Sequence, residues 1–350
     1  MKKFQYNKIL IIKHGSLGDI LNSTSVIKAI YDKYNSSEII ILTTSAYSSF
    51  FKKLNSNFTI CNDERKGLLK SFKLLSYLAN KNINLIIDLQ NSNRTFYYNL
   101  FFKMFSKAKI NSTHFFSNYR YKYSKFNPPS VIQGLCNQVN LLQIKPDAKP
   151  YLNFFKKSLK SDFNFLDKSY FIVNPGCSNK NSYKKWAAEN YIEVCKYLLN
   201  SKVVPILIGS ENDRDSIEEI IKQVPNSISL LNKSPLDIIY NLSTKAVGAI
   251  SNDTGPAHLI ASTGCKIHLI LSSKSNVKTV IPQSNNVTYN QADDINDIKP
   301  KIVFSYINKI LNQAKLQRIT NDKRDYDSTH CIYWLQQKEK NRECKVKINL

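Results

Sequence analysis

This 350-residue sequence predicts a doubly wound α/β protein with one architecture built twice around a cleft. Three observations carry that prediction. Short continuous aliphatic runs alternate with amphipathic stretches along the first 150 residues, as strands of a parallel sheet alternate with the helices that cover them. The alternation restarts near residue 169, after a stretch without sustained periodicity. In both halves a strand-like run gives way to a short turn containing Gly, Asn or Asp and then a helical pattern, the kind of corner at which parallel sheets bind ligands.

The first strand is Lys8-Ile9-Leu10-Ile11-Ile12-Lys13. It breaks at His14-Gly15-Ser16-Leu17-Gly18-Asp19 and enters a helix through Ile20, Leu21, Val26, Ile27 and Ile30. Two glycines between a strand and a helix suit a backbone that approaches a ligand closely. The spacing is not GxGxxG and no GK[ST] follows, which argues against a dinucleotide fingerprint and a P-loop. Residues 38–44 give a second strand and 46–54 a second helix; a helix over 68–78 precedes a third strand over 84–90. Asp19 and the turn Gln90-Asn91-Ser92-Asn93-Arg94 then meet at strand ends. There Asp19 could take a proton from a bound hydroxyl, or simply cap its helix. Arg94 could grip a phosphate or carboxylate in bidentate fashion, or lie solvated in a first turn.

Residues 95–126 mix aromatics with Lys and Arg. They read as a core helix and loop, as a base-stacking surface, or as a lipid interface. No nucleic-acid-binding motif accompanies them, so nucleic acid ranks last. Residues 1–150 form the first domain, 151–168 a linker, 169–318 the second domain and 319–350 a mixed-charge tail.

The second domain opens with a strand over 169–173 and the loop Asn174-Pro175-Gly176-Cys177-Ser178. Lys184-Lys185-Trp186 leads to a helix over 188–199 and a strand over 203–209, where Pro205 points to an edge or irregular position. Ser210-Glu211-Asn212-Asp213 starts another helix, and a further one begins at Ser234. The run 246–250 then enters Ser251-Asn252-Asp253-Thr254-Gly255-Pro256-Ala257-His258, before a last strand over 267–271. Asp253 or Thr254 can cap the helix that follows, and Pro256 suits its first turn. The amides of Gly176, Cys177 and Ser178, the cation of Lys184 or Lys185, and the helix start at Thr254-Gly255 together suit a diphosphate. Glu211, following a strand, suits ribose hydroxyls. Asp213-Arg214-Asp215 spells a DxD, but at a helix start, where Asp residues serve as caps.

The formal net charge of +24 implies an anionic partner, although abundant Lys, Asn, Ile, Tyr and Phe are also what compositional drift produces. Seven scattered cysteines without a CxxC argue against a disulfide framework or a zinc site and for a reducing cytoplasm. No run approaches the roughly 18 apolar residues of a membrane span.

In this order the motifs resemble those of glycosyltransferase family 9, the heptosyltransferase-like enzymes of lipopolysaccharide core assembly. Gly18-Asp19 resembles the family's Gly-Asp pair and Lys13 its strand-end lysine. Asp88-Leu89-Gln90 with Arg94 resembles Asp-x-Gln-Gly…Arg-Ser, with Asn91 for Gly. Asn174-Pro175-Gly176 resembles His-Pro-Gly, Lys184-Lys185-Trp186-Ala187 resembles Lys-x-Trp-Pro, and Gly209-Ser210-Glu211 resembles Gly-x-Glu. Asp253 to His258 resembles Asp-Thr/Ser-Gly-x-x-His, whereas Asn22 to Ser25 replace a Thr-x-Pro segment. The resemblance implies a GT-B fold, and an inverting, metal-independent transfer of heptose from ADP-heptose to an anionic glycolipid at the cytoplasmic face of the inner membrane. The enzyme would act as a monomer. Asp19 would be the general base, and Lys13, Gly18 and Arg94 would serve the acceptor. Gly176, Cys177, Ser178, Lys184, Lys185, Glu211, Asp253, Thr254, Gly255 and His258 would serve the donor. The same fold with another nucleotide-sugar, or a non-catalytic polyanion- or membrane-binding protein, are the alternatives.

Overall fold

The computed structural model of the protein describes residues 6–124, 128–156, 163, 166–177, 183–282 and 284–313. In the first half, β1 (Lys8–Ile12), β2 (Glu38–Thr43), β3 (Thr59–Asn62), β4 (Leu85–Asp88), β5 (Lys109–Ser112) and β6 (Tyr119–Arg120) form one parallel sheet in the order β3-β2-β1-β4-β5-β6. Helices α1 (Leu17–Lys33), α2 (Ser48–Leu54), α3 (Leu68–Ala79), α4 (Asn93–Phe105) and α5 (Val131–Asn140) connect and cover it.

The second half repeats the plan with β7 (Tyr170–Asn174), β8 (Val204–Gly209), β9 (Ile228–Leu231), β10 (Gly248–Asn252), β11 (Ile267–Ser272) and β12 (Val287–Ala292), ordered β12-β11-β10-β7-β8-β9. Its helices are α6 (Ala188–Asn200), α7 (Arg214–Gln223), α8 (Leu236–Ser243), α9 (Gly255–Ser262) and α10 (Val277–Val280). Residues 300–313 are also helical and bury Val303, Ile307 and Ile310 against this sheet.

The central strands β1, β7, β10 and β11 are almost wholly buried because both sheet faces are covered, so a continuous run is buried rather than an alternating one. Strand order reverses between β1 and β4 in one sheet and between β7 and β10 in the other. Ligands of such sheets bind at these reversals.

Pro205 does not mark an edge. β8 is internal, and Pro205 is tolerated because pairing with β9 begins only at Ile206. The stretch expected as a linker also does more than connect. Leu152 and Phe155 are buried, and the Phe155 ring lies 5.7 Å from Phe50 and 5.9 Å from Tyr240, joining the halves through one apolar cluster. The tail over 319–350 lies outside the described residues.

Two buried histidines make this fold acid-sensitive. Burial pulls both the His14 and His268 imidazoles down to about 4, in His14 against the opposing pull of Asp63. The folded chain therefore binds fewer protons than the unfolded chain between about pH 6.5 and 4. Their contribution is complete above 6.5 and lost as pH falls through that window. The unfolding midpoint is expected to drop between pH 7 and 4.5, and His268→Phe, which keeps the ring contact with Tyr306, should flatten part of the slope. A flat midpoint in wild type across that range would contradict this.

Candidate active site

The strand ends at the two reversals face each other across a cavity of about 850 Å³. That size falls in the ordinary range for small-ligand sites.

On the second-domain side, side-chain amides fix the loops. Asn174 Nδ2 donates to Ser251 Oγ and Thr254 Oγ1, both at 2.8 Å, tying the end of β7 to the β10–α9 corner. Asn252 Nδ2 donates to the carbonyls of Pro175 (3.0 Å) and Gly176 (3.2 Å), while its Oδ1 accepts from Tyr191 Oη at 2.9 Å. Asp213 accepts from the Cys177 amide at 3.1 Å and from the Ser210 amide and hydroxyl at 2.9 and 3.0 Å. Gly176 passes so close to this carboxylate that a Cβ would sit 2.7 Å from Asp213 Cγ. Asn252 and Asp213 were not singled out by sequence as site residues. Their type is common at turns, and only the third dimension shows which loops they join.

Thr254 is the N-cap of α9 in an extended conformation, and Pro256 lies in its first turn. Thr254, Gly255, Pro256 and His258 all line the cavity. Lys184 Nζ lies 2.5 Å from Asp253 Oδ2, with both side chains mostly buried and both residues on the cavity wall. Lys185 does not line the cavity, so of the two candidate lysines Lys184 is the one placed there. Burial lowers the His258 imidazole below its ordinary value and Lys184 adds to this, while Asp253 and Asp19 oppose it. Burial pushes the Cys177 thiol up, which leaves it a poor nucleophile.

From the first domain, α1 points its N-terminus into the same space. Asp19 is the third residue of α1, and its Oδ2 accepts from the Ser16 amide (3.3 Å) and hydroxyl (3.2 Å). α1 and α9 abut reciprocally: a Cβ on Gly18 would lie 2.9 Å from the His258 ring, and one on Gly255 would lie 2.8 Å from Leu17 Cβ. Two helix N-termini thus converge on one cleft, and both favour negative charge there. Tyr47, Phe50, Phe155, Leu236 and Ile239 supply an apolar wall beside them.

Several expected residues sit elsewhere. Lys13 is buried, its Nζ donating to the Leu89 carbonyl at 3.1 Å, so it props the β4 exit instead of facing solvent. Burial lowers its pKa, with Asp19 and Asp88 opposing. Arg94 donates to Tyr98 Oη (2.8 Å) and the Arg65 carbonyl (3.1 Å), within a cluster that includes the buried Asp63. The Cys177 amide, expected to face a phosphate, is taken by Asp213. Glu211 lies outside the cavity lining, both its oxygens held by Arg214 at 2.7 and 2.9 Å, and Arg214 and Asn232 hold its carboxyl down at about 2. Ser178 lies outside the described residues.

Two six-stranded parallel sheets of matching order, with a polar cleft between their reversal points, define a GT-B type fold. The sequence matches the family profile "Glycosyltransferase family 9 (heptosyltransferase)" over residues 71–303, more than half of its length, and the chain belongs to that family. Its fold is similar to a family 9 glycosyl transferase from Veillonella parvula (TM-score 0.69, 16% identity, 88% of this chain and 98% of that one). It is also similar to Escherichia coli ADP-heptose lps heptosyltransferase II (0.68, 17%, 88% and 99%) and to the E. coli heptosyltransferase WaaC determined with ADP (0.67, 13%, 87% and 99%). No curated protein matches the sequence.

Proposed function

We propose that this glycosyltransferase moves a heptose from ADP-heptose to a hydroxyl of an anionic glycolipid, with inversion at the anomeric carbon. The observation that carries the reading is the Lys184–Asp253 pair on the cavity wall at the start of α9. A donor diphosphate lying there meets the Lys184 ammonium and the helix terminus, which together stabilise the charge that grows as the diphosphate leaves. Asp253 is left to accept from sugar hydroxyls. Ser210 and Asn212 offer polar groups to the ribose side, and Leu236 and Ile239 an apolar wall to the base. Asp19 does not itself line the cavity but follows Gly18, which does, on the opposite domain, and it takes the proton of the attacking hydroxyl. ADP in the WaaC structure and ADP-heptose in the name of the second E. coli enzyme support the choice of donor.

A thermal-shift panel of nucleotides and nucleotide-sugars tests this. A ligand bound only by the folded state raises the midpoint by mass action, by about 2.7 kcal/mol of stability at 100 times its Kd. ADP and ADP-heptose are expected to raise it. A response confined to uridine or guanosine sugars would keep the site and discard heptose, and no response at all would sink the donor site.

A further inference from the structure

We propose that the outer faces of α3 and α4 dock the protein on an anionic phospholipid bilayer. α4 is apolar on two sides. Tyr98 and Phe102 face the core, while Tyr97, Leu100, Phe101, Met104 and Phe105, spaced i, i+3, i+4, i+7 and i+8, form a second stripe. Met104 and Phe105 are 67% and 62% exposed, and α3 exposes Leu68 (90%), Leu69 (79%) and Phe72 (58%). The Phe72, Phe101 and Phe105 rings make the stripes continuous, with centroids 5.7 Å apart for the first pair and 4.8 Å for the second. Among the described residues, no helix is long and apolar enough to cross a membrane.

Charge selects the occupant. Residues 65–146 contain thirteen Lys and Arg but one acidic residue, Asp88, which is wholly buried. Lys66, Lys73, Lys103 and Lys107 are exposed on or beside the two helices. A second copy of the chain would set these cations against themselves. A nucleic acid could stack on the rings but would leave the exposed Leu68, Leu69 and Met104 without a partner. A bilayer satisfies both features, with apolar tips at the acyl boundary and ammonium groups at lipid phosphates. α4 starts on the side of the sheet where β1 and β4 end, so, on the acceptor proposed above, docking along α3 and α4 brings that side towards the glycolipid.

The test is co-sedimentation of the full chain, without nucleotide, with phosphatidylcholine vesicles and with vesicles containing phosphatidylglycerol. Two multiple variants are compared with wild type: Leu68→Ser with Leu69→Ser and Met104→Ser, and Lys66, Lys73, Lys103 and Lys107 each→Glu. All these positions are exposed, so unchanged unfolding midpoints establish that the variants fold. Partition onto anionic vesicles is expected to exceed that onto neutral ones at least tenfold, and to fall about tenfold in either variant and in high salt. Equal partition onto both vesicles, none onto the anionic ones, or variants that bind like wild type would overturn the proposal. So would a concentration-dependent dimer abolished by the serine variant, which would give the face to a second copy. Because no nucleotide is present, this result and the donor-site result can fail separately.

Discussion

Asp19→Asn is expected to lower the transfer rate about a thousandfold while leaving donor affinity within about twofold of wild type, since a positioned general base contributes roughly 10²–10⁴. Asn keeps an oxygen that can accept from the Ser16 amide and hydroxyl, so the helix start survives and only the basic carboxylate is removed. That separates the two roles open to this residue. If Asp19 serves only as a cap, the Asn variant turns over at close to the wild-type rate. Donor affinity is the control, because Asp19 enters from the domain opposite Lys184 and Asp253 and does not line the donor cavity.

Lys184→Ala should lower kcat/KM by about 10²–10³, the usual cost of removing one preorganised group that meets developing charge. It should also weaken the thermal response to ADP. The residue is not a spare surface cation: it lies 2.5 Å from Asp253 in a mostly buried pair, so truncation leaves that carboxylate without its cation and the folded state loses stability as well. The double variant Lys184→Ala/Asp253→Asn distinguishes the effects. It should regain stability, because the uncompensated charge is gone, but not the transfer rate. Recovery of both would make the pair structural.

The central strands were legible because burial on both faces writes itself as short aliphatic runs, as at residues 9–12 and 269–271. Short peripheral strands were not. β3, β6 and β12 are partly exposed and carry little apolar signal, so none of the three is among the strands the sequence predicts. The order of the donor motifs was legible, and Lys184, Asp253, Thr254, Gly255 and His258 do share one cavity. What the chain could not show was commitment. Lys13, Arg94, Glu211 and the Cys177 amide each have the right chemistry at the right distance from a strand end, yet each already has a partner from a distant segment or a neighbouring turn. The apolar wall was hidden for the opposite reason: Phe155 lies in a stretch with no periodicity, and only packing between the halves reveals its place.

The most direct measurement is release of ADP from ADP-heptose with and without a lipopolysaccharide acceptor lacking heptose, together with the mass of the acceptor afterwards. The expected result is ADP release that depends on acceptor, a gain of one heptose on the glycolipid, and loss of both in Asp19→Asn. ADP release at the same rate without acceptor, or an acceptor of unchanged mass when the donor demonstrably binds, would contradict glycosyl transfer to this class of acceptor.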